Sequence, residues 1–380
     1  MKRLRVAVIG VGHLGRHHAR ILGAMPGVEL VAVADSRPEQ ARSVASACGT
    51  EPVADWRALL GRVDAVSVAV PTRSHREVAG AFLERGIPAL VEKPLALNAA
   101  QAEELCDLAR HAGAPLQVGH IERYNPALAA LDGLNLRPRF VSAERLAVFS
   151  FRSTDIGVVL DLMIHDLDLI LSMIPSAVRS VSAVGVSLFG GHEDVASARL
   201  EFDCGAVAEL TASRASERAV RSLRIWGSDC YAGLDLAAKK ARIVRPTDRL
   251  RHGDLGVETL DLSRPDAIKA HVFGELLDAR TIEPPPGPEP LALELEDFVQ
   301  AARTGRRPRV SGEDALRAVR VAEQIVRSLR NHRWDGPTTV PTGPHAGATA
   351  ADPARPIAGL AGPKRWKVRT SPRADAPKPG

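Results

Sequence analysis

The chain has 380 residues, 45% of them hydrophobic and 25% charged, the composition of a soluble globular protein with room for two domains. It holds no apolar run of about 18 residues that would span a bilayer, and the separated cysteines Cys48, Cys106, Cys204 and Cys230 argue against a zinc ribbon or a disulfide framework. The net charge of +5 implies no nucleic-acid face, because residues 335–380 hold seven Lys/Arg against three Asp and so supply +4 of it.

The opening MKRLRVAVIG runs straight into a short β-type segment without a long apolar leader, so no signal peptide is expected. With the unpaired cysteines, this sets the expected location as cytoplasmic. Leu4–Ile9 is a continuous apolar run suited to a strand buried on both faces. It leads into Gly10-Val11-Gly12-His13-Leu14-Gly15, a helical segment over 16–25, a second apolar run over 28–34, and Asp35. Strand, GxGxxG, helix, strand and an acidic residue together form a dinucleotide-binding pattern. The glycines permit a tight turn, close approach of backbone to pyrophosphate, and helix–strand packing; the helix N-terminus favours phosphate. A carboxylate at Asp35 suits the free ribose hydroxyls of NAD more than the phosphate of NADP, with Arg37 placed to stack on adenine or meet that phosphate. The expected cofactor is therefore NAD.

Alternation continues with strands over 65–70, 88–91 and 115–119 and helices over 74–85 and 98–112, the last capped by Asn98. This predicts a doubly wound parallel sheet with ligands at the carboxyl ends of its strands. Pro71, Thr72 and His75 in one loop, and Glu92 and Lys93 in another, fall beside the cofactor on that reading. After Gly119 the pattern changes to a short helix over 125–131 and strands over 139–149, 178–188, 196–202, 206–213 and 220–226. That predicts an α+β domain with an open, largely antiparallel sheet, whose uncovered face favours a homodimer or homotetramer. Residues 281–290, with five prolines, read as a loop before helices over 291–303 and 311–330. The expected divisions are 1–122, a dinucleotide-binding domain; 123–334, a substrate and oligomerisation domain; and 335–380, a disordered basic tail.

Within the second domain, Ile156–Ile174 is apolar nearly all round. Its polar residues Asp161, His165, Asp168 and Ser172 fall at i, i+4, i+7 and i+11, one helical stripe, with Asp166 pointing elsewhere. A buried polar stripe must face protein, water or substrate that satisfies it. No metal-ligand pattern accompanies it, and no metal is expected.

Over residues 3–334 these features resemble the glucose–fructose oxidoreductase/inositol dehydrogenase (Gfo/Idh/MocA) family: GVGHLG at 10–15, Asp35, EKP at 92–94, the Asp161-xxx-His165 pair, and the closing RTGRRPRVSGEDALRAVRVAEQIVRSL. The resemblance implies a Rossmann first domain, a cis peptide before Pro94, and Lys93, Asp161 and His165 as the catalytic set. Met163 departs from the family, which commonly has glycine inside that motif, and is expected to reshape the pocket floor. GHIERYNP at 119–126 with LDLMIHDLD at 160–168 is similar to members that oxidise UDP-N-acetylglucosamine at carbon 3, supplying 3-keto sugars toward diamino sugars of surface glycans or lipid A. By that resemblance Arg123, Tyr124 and Asn125 contact substrate. In the implied mechanism His165 takes the hydroxyl proton, Asp161 orients it or binds substrate, Lys93 donates to the reacting oxygen, and Asp168 supports from behind. A dehydrogenase of a free polyol or monosaccharide, and a non-catalytic dinucleotide-binding regulator, remain the alternatives.

Overall fold

The computed structural model describes residues 2–150, 156–189, 191–284 and 287–332. The first sheet is wholly parallel, in the order β3-β2-β1-β4-β5-β6, from strands β1 (Leu4–Ile9), β2 (Val28–Ala34), β3 (Glu51–Val53), β4 (Ala65–Val68), β5 (Ala89–Glu92) and β6 (Leu116–Gly119). Its central strands β1 and β4 are mostly apolar and largely buried because helices cover both faces. Helices α1 (Gly15–Ala24) and α2 (Pro38–Cys48) lie on one face, α3 (His75–Leu83) and α4 (Ala99–Ala112) on the other. Asn98 caps α4 by accepting from the Gln101 amide at 2.9 Å. The strand order reverses between β1 and β4, so the loops after them part and leave a crevice.

The second sheet has eight strands in the order β14-β13-β12-β11-β7-β10-β9-β8, antiparallel except for β7 with β10. They are β7 (Phe140–Leu146), β8 (Val178–Val186), β9 (Val195–Phe202), β10 (Val207–Ser213), β11 (Val220–Trp226), β12 (Tyr231–Asp235), β13 (Lys240–Pro246) and β14 (Leu277–Ile282). Burial alternates along β7, β9 and β10, and the inward residues pack on helix α5 (Ile164–Met173). Two short helices, α6 (Asp248–Arg251) and α7 (Pro265–His271), lie between β13 and β14.

The last helices return to the first domain. Leu295, Phe298 and Val299 of α8 (Pro290–Thr304) join the core under α1. Helix α9 (Gly312–Asn331) opens with a capping box between Ser311 and Asp314. Its Ala315 and Leu316 sit in the first domain's core, whereas Ala318 to Leu329 sit in the second's. Among the described residues no helix is long and apolar enough to cross a membrane.

Several elements carry little signal in the sequence. Helix α2 lies between the Asp35 motif and a strand of only three residues, too short to show a period. Strands β12 and β13, YAGLD and KARIVRP, are interrupted by glycine, charge and proline and hold their place by pairing. Strand β14 reaches into the stretch read as a loop. The short helix over 125–131 is a 3₁₀ segment, Pro126–Leu131. The basic tail over 335–380 lies outside the described residues.

Candidate active site

The crevice at the strand reversal is a cleft of about 570 Å³, lined by Gly10, Gly12, His13 and Leu14 from the first loop, Asp35 and Arg37 after β2, Trp56, and Val70, Pro71 and Arg73 after β4. Gly10 has φ +82°, and a Cβ there would meet three backbone atoms of Ala69 and Val70 at 2.7 Å. Gly12 differs: a Cβ would meet nothing nearer than Arg37 Nη2 at 3.9 Å. The backbone at Gly12 is thus bare toward the cleft, as a pyrophosphate-binding turn requires. Asp35 accepts from the Val11 amide at 3.1 Å and the Arg37 amide at 3.0 Å, which fixes its carboxylate at the far wall. Arg37 folds back on Asp35, Nε to Oδ1 at 3.3 Å, with most of its side chain exposed. These residues fit a dinucleotide. Trp56 was missed from sequence; it follows the helix-capping Asp55 and forms part of the wall, its ring 5.8 Å from that of Phe82.

Three residues expected at the cofactor do not line this cleft. Thr72 does not line the cleft; it starts the 3₁₀ turn Thr72–Ser74. His75 is buried, with Nδ1 3.0 Å from the Pro94 carbonyl and Nε2 2.9 Å from that of Val70. It ties the cleft loop to the Lys93 loop from beneath, and burial holds its pKa below the usual range. Glu92 is buried, with Oε1 3.1 Å from His18 Nε2, and Oε2 accepts from the Lys93 amide.

Lys93 itself emerges at the carboxyl edge of the sheet, and the Lys93–Pro94 peptide is cis. Its ammonium donates to the Asp161 carbonyl at 2.8 Å and to Oδ1 at 3.2 Å. Asp161 sits in a π-helical turn, Val159–Met163, that leads into α5. That turn adds a residue to the helical circuit and cannot be read from a 3.6 period. His165 follows on α5, half-buried, with Nδ1 buried and without a protein hydrogen-bond partner. Burial first, and Lys93 second, hold its pKa well below the usual range, so the imidazole is neutral at neutral pH. Asp161 therefore engages Lys93; no bond joins it to His165 among the contacts described.

The rest of the stripe divides. Asp168 is buried, with Arg123 Nη1 3.8 Å from its Oδ1. Ser172 is exposed and turns back to the Leu169 carbonyl at 2.7 Å, so it supports nothing in the site. Met163 is fully buried in the second domain's core. Asp166 points away from the stripe to Arg145 at 2.8 and 2.9 Å. The residues expected to touch substrate are engaged by protein. Tyr124 donates to Asp297 at 2.8 Å beneath the Arg309 guanidinium. Asn125 donates to Glu122 at 2.9 Å and to the Leu236 carbonyl at 2.8 Å. Arg123 leans on the Asp168 and Arg309 carbonyls. All three belong to the joint between the domains.

The two halves each match a family model: residues 4–120 the oxidoreductase family's NAD-binding Rossmann fold, and 149–336 its C-terminal alpha/beta domain. The chain belongs to the Gfo/Idh/MocA oxidoreductase family. It is thereby an NAD(P)-dependent dehydrogenase. Among relatives in this family, the UDP-N-acetylglucosamine 3-dehydrogenase of Acidithiobacillus ferrooxidans is 39% identical over 277 residues, 72% of this chain and 87% of that one. A solved structure of that enzyme covers 86% of this chain and 98% of its own, with TM-score 0.75 and 34% identity. The scyllo-inositol 2-dehydrogenase (NAD(+)) of Bacillus subtilis is 28% identical over 348 residues, 87% of this chain and 95% of that one. A levoglucosan dehydrogenase in complex with NADH and levoglucosan shares the fold, with TM-score 0.71 at 19% identity over 86% of this chain and 97% of its own.

Proposed function

We propose that this Gfo/Idh/MocA protein oxidises a secondary alcohol of a sugar with NAD, its substrate being UDP-N-acetylglucosamine and its reacting centre carbon 3. The observation that carries the substrate is the 39% identity with the A. ferrooxidans enzyme over 87% of that enzyme's length. The reading of NAD over NADP rests on the Asp35 carboxylate at the cleft wall.

The chemistry is assigned to three side chains. NAD, when bound, supplies the hydride acceptor. His165, kept neutral by burial, takes the proton of the reacting hydroxyl. Lys93 donates a hydrogen bond to that oxygen and offsets its developing negative charge. Asp161 holds the Lys93 ammonium by side chain and carbonyl and so aims it. The open face of the second sheet forms a polar concavity of about 460 Å³ lined by residues such as Glu144, Arg199, Glu209 and Arg224. That face supports a homodimer or homotetramer built sheet to sheet.

The inositol dehydrogenase relative, aligned over 95% of its length, favours a second reading, a free polyol. Steady-state assays with UDP-N-acetylglucosamine, myo-inositol and scyllo-inositol separate the two. The expected result is a higher kcat/KM for the UDP-sugar, with Lys93→Ala and His165→Ala each lowering kcat about 10²–10⁴-fold. A preference for inositol would replace the substrate, and losses below about tenfold in both variants would remove the proposed catalytic set.

A further inference from the structure

Helix α5 carries two buried polar clusters of opposite character. On one side Asp166, Arg145 and Glu122 form a closed network in which every charged atom is bonded, at 2.8–2.9 Å. On the other, buried polar atoms have no protein partner. His120, 1% exposed, has neither ring nitrogen bonded, and the same holds for His165 Nδ1 and Asp168 Oδ2. Glu294 of α8, wholly buried, leaves both carboxyl oxygens free beside Glu92. Buried polar groups are hydrogen-bonded in the great majority of cases, and a cluster of exceptions calls for a reason. A purely structural role does not supply one, since the same helix shows a structural network with every bond made.

The exceptions are also titratable and adjoin one another. The His120 and His165 rings meet edge to face, centroids 6.2 Å apart and planes at 90°. The Asp168 charge acts on His120, and Arg123, whose side chain is 15% exposed, has Nη1 3.8 Å from Asp168 Oδ1. We propose that His120 and Asp168 are a proton relay that takes from His165 Nδ1 the proton released in each oxidation and delivers it toward the surface at Arg123. The proposal rests on His165 being the base, as assigned above.

The step balances. As the substrate O–H breaks, an N–H forms at the His165 nitrogen facing it; the Nδ1–H then breaks as an N–H forms on His120, whose second nitrogen passes a proton to Asp168. Because no hydrogen bond joins these groups directly, each transfer in the relay requires a bridging water. His165 thereby returns to its neutral form for the next turnover. Burial supports the transfer in both directions of charge: it lowers the pKa of both histidines and raises that of Asp168, bringing donor and acceptor toward each other. His120 is faced by Asp168, Lys93, Arg123 and Glu92, and His165 by Lys93, Arg145, His120 and Arg221. Asp168 is further faced by Asp314 and Arg317. Burial, with Glu92 next, raises the Glu294 pKa well above the usual range.

The test uses the full chain with His120→Gln and Asp168→Asn, which remove the proton carriers at nearly the same side-chain volume. With the sugar that the wild type oxidises, the expected result is a fall in kcat of about 10- to 100-fold, a KM within about threefold, and an unchanged single-turnover rate of NADH formation. Steady-state rates then rise with added imidazole buffer, which carries the stranded proton. Wild-type kcat should also show a curved dependence on the D₂O fraction, a readout that requires no variant to fold. A single-turnover rate that falls as much as kcat and is not restored by imidazole, a kcat loss below threefold, or a linear D₂O dependence would each overturn the relay. Inactivity of the wild type on both UDP-N-acetylglucosamine and the inositols would overturn the functional reading, and the relay with it. A relay failure leaves an active wild type, so the two failures are distinct.

Discussion

Gly12→Ala separates what the cleft needs for folding from what it needs for binding. The residue's φ lies outside the left-handed region, and its added Cβ would be 3.9 Å from Arg37 Nη2 and farther from everything else. Alanine therefore costs nothing in the free protein and lowers the entropy of the unfolded chain, a gain of about 0.4–1 kcal/mol. Gly10→Ala meets the opposite situation, with φ +82° and backbone atoms at 2.7 Å. Left-handed strain of about 1–2 kcal/mol and overpacking of about 1–3 kcal/mol predict a loss of about 2–5 kcal/mol. Urea denaturation without cofactor should order the proteins as Gly12→Ala at or above wild type, then Gly10→Ala far below. In NADH fluorescence titrations Gly12→Ala should bind on the order of tenfold more weakly or worse, at least about 1.4 kcal/mol, because its methyl stands where the pyrophosphate approaches the backbone. A Gly12→Ala protein that binds NADH like wild type, or that loses more than about 1 kcal/mol of stability, would refute the placement of the dinucleotide.

Two further predictions concern buried charge. Arg145→Met leaves the Asp166 and Glu122 carboxylates buried without their main partner, and should cost about 3–5 kcal/mol by urea denaturation; adding Asp166→Leu should recover part of it. Acid should destabilise the fold early. Burial holds His75, His120 and His165 below the usual value of 6.5, so below that pH the unfolded chain binds protons that the folded one refuses. Stability is then full above pH 6.5 and falls as pH drops, by up to about 1.4 kcal/mol per unit for each such histidine. Urea midpoints between pH 7.5 and 5.5 check this, and constant stability across that range would contradict it.

What was legible in the chain was what is local in it. The turn at Gly10–Gly15 and Asp35 lie within one strand–helix–strand unit, and glycine and carboxylate at those positions answer to backbone geometry. Lys93 and Asp161 stand 68 residues apart and meet only through the docking of two domains, so their contact came by family resemblance alone. The same resemblance assigns Tyr124 and Asn125 to the substrate; their protein partners Asp297 and Leu236 belong to elements remote in sequence. Loop position placed His75 and Glu92 by chain order alone, which does not give their burial or their partners. The stripe on α5 was read as continuous α-helix, but the π turn at Val159–Met163 and the exposure of Ser172 shortened it to Asp161, His165 and Asp168.

Helices α8 and α9 complete the first domain from the far end of the chain. Strand β6 ends at Gly119 and α8 begins at Pro290, so about 170 residues, at about 5–20 per second, separate their synthesis. For on the order of ten seconds on the ribosome, the cofactor half waits with the face under α1 open, Val6, Val8 and Leu90 still lacking the cover of Leu295 and Phe298. A product truncated before α8 is therefore more than an enzyme without its closing segment. It is a half-covered sheet with apolar surface to offer, a substrate for chaperones or for its own kind.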